Sequence, residues 1–301
     1  MTLENTGKEE LGEILDLAQD FSAGRLSQPL AGKTVCMAFF EASTRTSASF
    51  ELAARRAGAD VISLSEKGSS ISKGECLVDT VVTLDSLGAD AIVLRHPAVG
   101  AARLASQYTE AAVVNAGDGC GQHPTQTLLD LYALSEALGG FGELAGRRVV
   151  VVGDVLHSRV ARSLIPAFQA AGMEIALVAP RTLLPIDTDV WELPVLSSVD
   201  EALDWGAETL YMLRLQNERM VGGSPRVPSV GEYAAYYGVS RRHLEPGVMV
   251  MHPGPVNRGV EISGDVVLDE ASLVSDQVAA GIAVRSAVLA LATGAVHEVA
   301  A

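Results

Sequence analysis

FFEASTRTSASFE, residues 39–51, joins a greasy run to an apolar-periodic one through Ser43-Thr44-Arg45-Thr46. Ahead of the junction, Thr34–Phe40 is hydrophobic and rich in strand formers; behind it, Ser47–Ala57 repeats apolar residues at helical spacing. The stretch therefore reads as a strand that delivers the chain to the first turn of a helix. Backbone N–H groups without intrahelical partners, and the positive end of the helix dipole, make such a turn an anion site. One Ser or Thr is enough to cap a helix. Three hydroxyls and a guanidinium exceed that need, so the run reads as a phosphate cradle.

The same unit recurs along the chain. Asp60–Leu64, Ala91–Arg95, Ala112–Asn115, Arg148–Gly153, Glu174–Val178, Thr209–Leu213 and Val248–Met251 read as further strands. Glu9–Ser22, Leu77–Leu87, Ala102–Tyr108, Thr125–Leu138, Arg159–Ala171, Ser198–Trp205 and Val278–Ala292 read as helices. Strand–helix alternation with β-rich apolar runs predicts an α/β protein whose parallel sheets are doubly wound, with helices on both faces. The alternation runs twice, on either side of Gly139-Gly140-Phe141-Gly142, which predicts two domains with a boundary near residue 140. The Gly/Pro/Ser-rich tract ERMVGGSPRVPSVGE, residues 218–232, reads as a loop.

Composition removes several classes of function. The 301 residues are 48% hydrophobic and 20% charged, enough for a large core. No run of eighteen or more apolar residues occurs, so no membrane span is expected. The acidic, amphipathic N-terminus MTLENTGKEELGEILDLAQD does not read as a signal peptide. Three scattered cysteines, Cys36, Cys76 and Cys120, predict a reducing cytoplasm without a disulfide framework. No Cys or His pair has metal-ligand spacing and no GxGxxG is present, so neither a metal nor a dinucleotide cofactor is expected. A net charge of −15 disfavours nucleic acid as a partner. Yet the basic residues are four lysines and eighteen arginines, the better fork for carboxylate and phosphate. In so acidic a chain an anion site must be local, built from a few converging arginines.

Six more polar clusters lie at or near predicted strand ends. SSISKGE, 69–75, is a small-residue loop carrying Lys73, suited to closing over a charged ligand. Arg95 ends the strand in AIVLRH. In NAGDGCGQHPTQ, 115–126, His123 and Gln126 stand on one face of a helix start marked by Pro124, able to hold a carbonyl and an NH2 group. Arg159 follows the strand in VVVGDVLHSRVARS. Arg214 and Gln216 alternate onto one side of an extended segment. In HPGP, 252–255, prolines withhold donors and leave carbonyls to accept from an amine. Each cluster after the first, read alone, fits an ordinary turn, cap or surface arginine. Read together, they describe an interdomain cleft for two small anions, one of them phosphorylated.

The order of STRT, KGE, LRH, GDGCGQHPTQ, RLQ and HPGPVNRG across essentially the whole chain resembles the aspartate/ornithine carbamoyltransferase family. RLQ and HPGPVNRG resemble its aspartate branch; the HCLP and SMG-type motifs of ornithine enzymes are missing. The resemblance implies transfer of a carbamoyl group from carbamoyl phosphate to the α-amine of L-aspartate, an early step of pyrimidine synthesis. It implies that residues 1–138 with 279–301 bind carbamoyl phosphate and residues 139–278 bind aspartate. Ser43, Thr44, Arg45 and Thr46 would cradle the phosphate with Arg95. Thr46, Arg95 and His123 would polarise the carbamoyl carbonyl. Gln126 and the carbonyls of Pro253 and Gly254 would hold amine hydrogens, while Arg159, Arg214 and Gln216 would bind the aspartate carboxylates. Ser69 and Lys73 would enter from a neighbouring subunit, which implies a homotrimer with shared active sites. A regulatory chain or a dihydroorotase is a possible further partner.

The chain departs from the family at Ser47, where STRTR is usual and STRTS stands. Three readings follow: an aspartate enzyme that tolerates the change, a paralogue with another amine acceptor, or a binding or scaffold protein without turnover. Ser47→Arg separates them in a turnover assay with L-aspartate. A marked rise identifies a weakened site, and unchanged turnover identifies local compensation.

Overall fold

The computed structural model describes residues 3, 6–65, 74–186, 191–216 and 229–296. The chain divides into two compact units, Met1–Leu129 with Ala279–Ala301, and Asp130–Val278. The first carries α1 (Lys8–Ser22), β1 (Thr34–Phe39), α2 (Thr44–Arg56), β2 (Asp60–Ser65), α3 (Leu77–Ser86), β3 (Ala91–His96), α4 (Ala101–Ala105) and β4 (Ala112–Asp118). α5 (Pro124–Leu138) crosses to the second unit, with the change at Leu129 to Asp130, inside the helix rather than in the glycine stretch beyond it. There follow β5 (Arg148–Val152), α6 (Arg159–Ala170), β6 (Glu174–Val178), β7 (Val195–Leu196), α7 (Val199–Asp204), β8 (Thr209–Met212), α8 (Val230–Tyr237) and β9 (Met249–Met251). α9 (Val274–Ala292) carries the chain back to the first unit.

Both sheets are wholly parallel. The first has the order β2-β1-β3-β4 and the second β7-β6-β5-β8-β9. Parallel strands covered on both faces read as unbroken apolar runs, and Val35–Phe39 and Val149–Val152 are buried at every position. In the first unit Cys36, Ala38, Ile92 and Leu94 pack on Val81 and Leu84 of α3 and the alanines of α4. Val35 and Met37, the alternate residues, are buried on the opposite face. In the second unit Val150, Val152, Ala176, Val178, Leu210 and Met212 pack on Val199 and Ala202 of α7.

Each order reverses beside its first strand, between β1 and β3 and between β5 and β8. At these switch points the helices leave to opposite faces and a crevice opens at the carboxyl ends of the strands. β5 leaves through Gly153, whose φ is +120°. A Cβ there would lie 2.7 Å from the Tyr233 hydroxyl oxygen and 2.8 Å from the Leu213 carbonyl oxygen, so only glycine fits.

α9 is long and apolar enough to cross a bilayer by length and composition. More than half of it is buried in the protein, and it carries a buried arginine. Arg285 donates to Ser49 Oγ at 2.7 Å and its guanidinium lies 5.1 Å from the centre of the Phe50 ring, both on α2. An arginine at the centre of a lipid-facing helix costs roughly 3 kcal/mol. Here it has protein partners, so α9 is a core helix of the first unit.

Two local features differ from the sequence reading. Val230–Glu232, expected to close a loop, opens α8, with the Ser229 hydroxyl accepting from Glu232 N. The two-residue strand β7 is too short to show periodicity.

Gly153→Ala is expected to lower the stability of the second unit by roughly 2 kcal/mol or more, from positive-φ strain and the clash with Leu213. Urea unfolding followed by tryptophan fluorescence checks this; an unchanged midpoint would contradict the close approach.

Candidate active site

The first unit gathers its polar groups along one edge. β1 ends at Phe39 and Ser43 stands at the N-cap of α2 in extended backbone. Ser158, Ser198 and Ser229 occupy the same position on α6, α7 and α8, and each accepts a hydrogen bond from its own helix. Ser43 does not fold back in this way. The Ser43, Thr44 and Thr46 hydroxyls make no hydrogen bond to another described residue. Thr44 and Arg45 are exposed and Thr46 is buried. Ser47 lies inside the first turn, its N–H donating to the Ser43 carbonyl at 3.1 Å.

Arg95 closes β3 on the other side of the switch point and is buried. Its Nη1 donates to the Ala116 carbonyl at 3.2 Å and its Nη2 to Glu41 Oε1 at 3.0 Å. Glu41 thus holds the guanidinium at the strand end. It stands in the opening stretch of sequence, where the spacing to Arg95 gives no sign of the pair. His96, next along, packs against Phe40 with ring centres 5.1 Å apart and planes tilted by 57°, and burial pushes its pKa below the ordinary histidine value.

His123 and Gln126 are buried at the start of α5. The loop before them is built on one carboxylate. Asp118 accepts from Gly100 N at 2.6 Å, Gln122 N at 2.7 Å and Asn115 Nδ2 at 3.0 Å. A Cβ on Gly121 would lie 2.8 Å from both Asp118 oxygens, which explains one glycine of GDGCGQ.

The second unit repeats the arrangement at its own switch point. Beyond β5, Asp154 is fully buried and accepts from His157 N at 3.2 Å and His157 Nδ1 at 2.8 Å. Its other oxygen accepts from Gln216 N at 3.2 Å. Arg159 opens α6 and is buried; Arg214 and Gln216 follow β8 and are half-buried. Glu261, also fully buried, accepts from Leu215 N at 3.0 Å, Asn257 N at 2.7 Å and Asn257 Nδ2 at 2.8 Å. Burial pushes its pKa up, against the pull of those donors. The segment Arg214-Leu215-Gln216 is therefore held through its backbone at Leu215 and Gln216. Beyond β9, the Gly254 N–H donates to His252 Nδ1 at 2.7 Å. Among the described residues no donor reaches the carbonyl oxygens of Pro253 and Gly254.

The structure thus groups Ser43, Thr44, Arg45, Thr46, Arg95, His123 and Gln126 on the first unit, and Arg159, Arg214, Gln216, Pro253 and Gly254 on the second. Ser69 and Lys73 lie outside the described residues. Among the described residues no group of three His, Cys, Asp or Glu side chains could hold a metal ion. Glu41, Asp118, Asp154 and Glu261 were not legible as site residues, because a buried carboxylate is defined by partners distant in sequence.

Residues 1–136 match the family description "Aspartate/ornithine carbamoyltransferase, carbamoyl-P binding domain", and residues 145–292 match the accompanying "Asp/Orn binding domain". The chain belongs to the aspartate/ornithine carbamoyltransferase family. Within this family it is 77% identical over 301 residues to the aspartate carbamoyltransferase catalytic subunit of Rubrobacter xylanophilus, covering 100% of this chain and 98% of that one. Among solved structures it resembles the catalytic subunit of aspartate transcarbamoylase from M. jannaschii, with 36% identity, a TM-score of 0.82 and coverage of 99% and 97%. It also resembles the Trypanosoma cruzi enzyme in complex with N-(phosphonacetyl)-L-aspartic acid, with 29% identity, a TM-score of 0.84 and coverage of 96% and 93%.

Asp118→Asn turns one acceptor face of the loop carboxylate into a donor against N–H groups. The first unit is expected to lose about 1–3 kcal/mol, read as a lower urea midpoint; no loss would remove Asp118 as the loop's organiser.

Proposed function

We propose that the chain transfers the carbamoyl group of carbamoyl phosphate to the α-amine of L-aspartate, giving N-carbamoyl-L-aspartate and phosphate for pyrimidine synthesis. The observation that carries this reading is the presence of a hydroxyl-and-arginine edge on one unit and of an arginine-and-carbonyl edge on the other, each beside its own sheet's switch point. The 77% identity to a named aspartate carbamoyltransferase catalytic subunit supports it.

The reaction needs little acid–base machinery. The neutral amine's lone pair forms the new C–N bond, and charge gathers on the carbamoyl oxygen. The C–O bond to phosphate then breaks, its electron pair leaving with phosphate, which can take the amine's proton. The protein's part is to position and to present fixed donors where charge develops. Ser43, Thr44, Arg45 and Arg95 hold the phosphate; Thr46, Arg95 and His123 stabilise the carbamoyl oxygen. Gln126 and the Pro253 and Gly254 carbonyls take amine hydrogens, and Arg159, Arg214 and Gln216 take the two carboxylates.

The same reading extends to assembly. We infer a homotrimer in which Ser69 and Lys73 of one subunit complete a neighbour's site. The name its relatives carry, catalytic subunit, supports a regulatory chain as a further partner; a dihydroorotase is another. Three free cysteines support a cytoplasmic location.

A ureido-product assay with carbamoyl phosphate and a panel of amino acids tests the reading. L-Aspartate is expected to be the efficient acceptor, and Arg45→Gln to cut kcat/KM by about 10²–10³-fold, the worth of one fixed donor to the developing charge. Turnover only with another amino acid would overturn the roles of Arg214 and Gln216.

A further inference from the structure

One buried polar chain in the second unit is not used by the roles assigned above. Asp130, on α5, is fully buried; its Oδ2 accepts from the Tyr211 hydroxyl at 2.6 Å and its Oδ1 from Gln277 Nε2 at 2.7 Å. Gln277, near the start of α9, is buried as well, and its Oε1 accepts from His252 N at 2.9 Å. The chain Tyr211–Asp130–Gln277–His252 thus joins β8, α5, α9 and the residue after β9. Asp130 and Gln277 also stand where the chain enters the second unit and just before it leaves.

The placement of the last link is informative. β8 and β9 pair in register up to Tyr211 and Met251. His252 is the next residue, beyond the last strand partner, and its N–H is taken by a side chain instead. Pro253 has no N–H, and the Gly254 N–H goes to the His252 ring. Both N–H groups of the His252–Gly254 segment are therefore consumed inside the protein: the first pins the Met251–His252 peptide at the start of the segment, and the second pins the Pro253–Gly254 peptide that carries the Pro253 carbonyl, so the segment from which the Pro253 and Gly254 carbonyls project is anchored at both places. The polarity is set by Asp130: a carboxylate only accepts, so Gln277 must turn its NH2 toward it and its oxygen toward His252.

We propose that Asp130 and Gln277 are positioning residues for the reaction: through the His252 N–H they aim the Pro253 and Gly254 carbonyls at the acceptor's amine. This rests on the reading that those carbonyls take amine hydrogens from L-aspartate. A satisfied buried network of this kind holds a single arrangement, and a half-satisfied one does not.

A polarity swap tests it. Gln277→Glu sets two acceptor-only groups face to face and pushes the side chain away from His252. Adding Asp130→Asn to the same chain gives the introduced carboxylate a donor again, so that it can accept from His252 N as the amide oxygen did. The single variant Gln277→Glu is expected to raise the KM for L-aspartate about tenfold, the loss of one buried hydrogen bond. The KM for carbamoyl phosphate, and the affinity for succinate, which has both carboxylates but no amine, are expected to stay within about twofold. The double variant is expected to return the aspartate KM to within about twofold of the wild type. If Gln277→Glu does not fold, the double variant alone decides: an aspartate KM near that of the wild type supports the relay, and a raised one overturns it. A fall in melting temperature with every KM unchanged would make the network structural only and overturn the proposal. Equal weakening of succinate would place its effect on the carboxylates instead and overturn it too. Failure of the wild type to use L-aspartate would overturn both the proposal and the reading beneath it.

Discussion

The constraint on which the rest depends is that every strand in each sheet runs the same way. A parallel sheet must return its chain by a crossover, so all carboxyl ends of its strands open on one edge. The reversals between β1 and β3 and between β5 and β8 then leave a crevice at each such edge. Ser43–Thr46 and Arg95 flank the first, and Arg159 and Arg214 flank the second. Two parallel sheets thus give two edges, and the proposed roles for a phosphate donor and a dicarboxylate acceptor rest on which residues stand there.

A second principle governs how those residues are held. Glu41 anchors Arg95, Asp118 organises the turn before His123, Asp154 and Glu261 grip the backbone on either side of Leu215, and Asp130 orients Gln277. A carboxylate taken from water needs several donors in good geometry to offset its desolvation. Half of the donors named here are backbone N–H groups of loops, so the carboxylates rigidify segments that sheet ladders do not reach.

The strands and most helices were legible because burial on both faces demands unbroken runs of Val, Ile, Leu and Ala, as in RVVVV at β5 and EIALV at β6. β7, with two residues, was not, and α8 was hidden in a tract whose Gly, Pro and Ser content argues for loop. The extension of β4 through Asn115 to Asp118 was hidden by its Asn-Ala-Gly. Of the candidate site, the arginines and hydroxyls could be named from residue type and position taken together, since each alone also fits a cap or a surface arginine. The acidic residues beneath them could not, because an Asp or Glu in a sequence looks like surface until its donors, tens of residues away, are brought to it. Gln277 and His252 belong to the same class.

The measurement that tests the account most directly is calorimetric titration of the chain with N-(phosphonacetyl)-L-aspartate, which joins a phosphate mimic and the acceptor in one molecule. The account predicts one molecule bound per chain, at least about a hundredfold more tightly than phosphate or L-aspartate alone, as expected of an analogue of the joined state. Binding no tighter than that of inorganic phosphate would mean that the two edges do not serve one reaction.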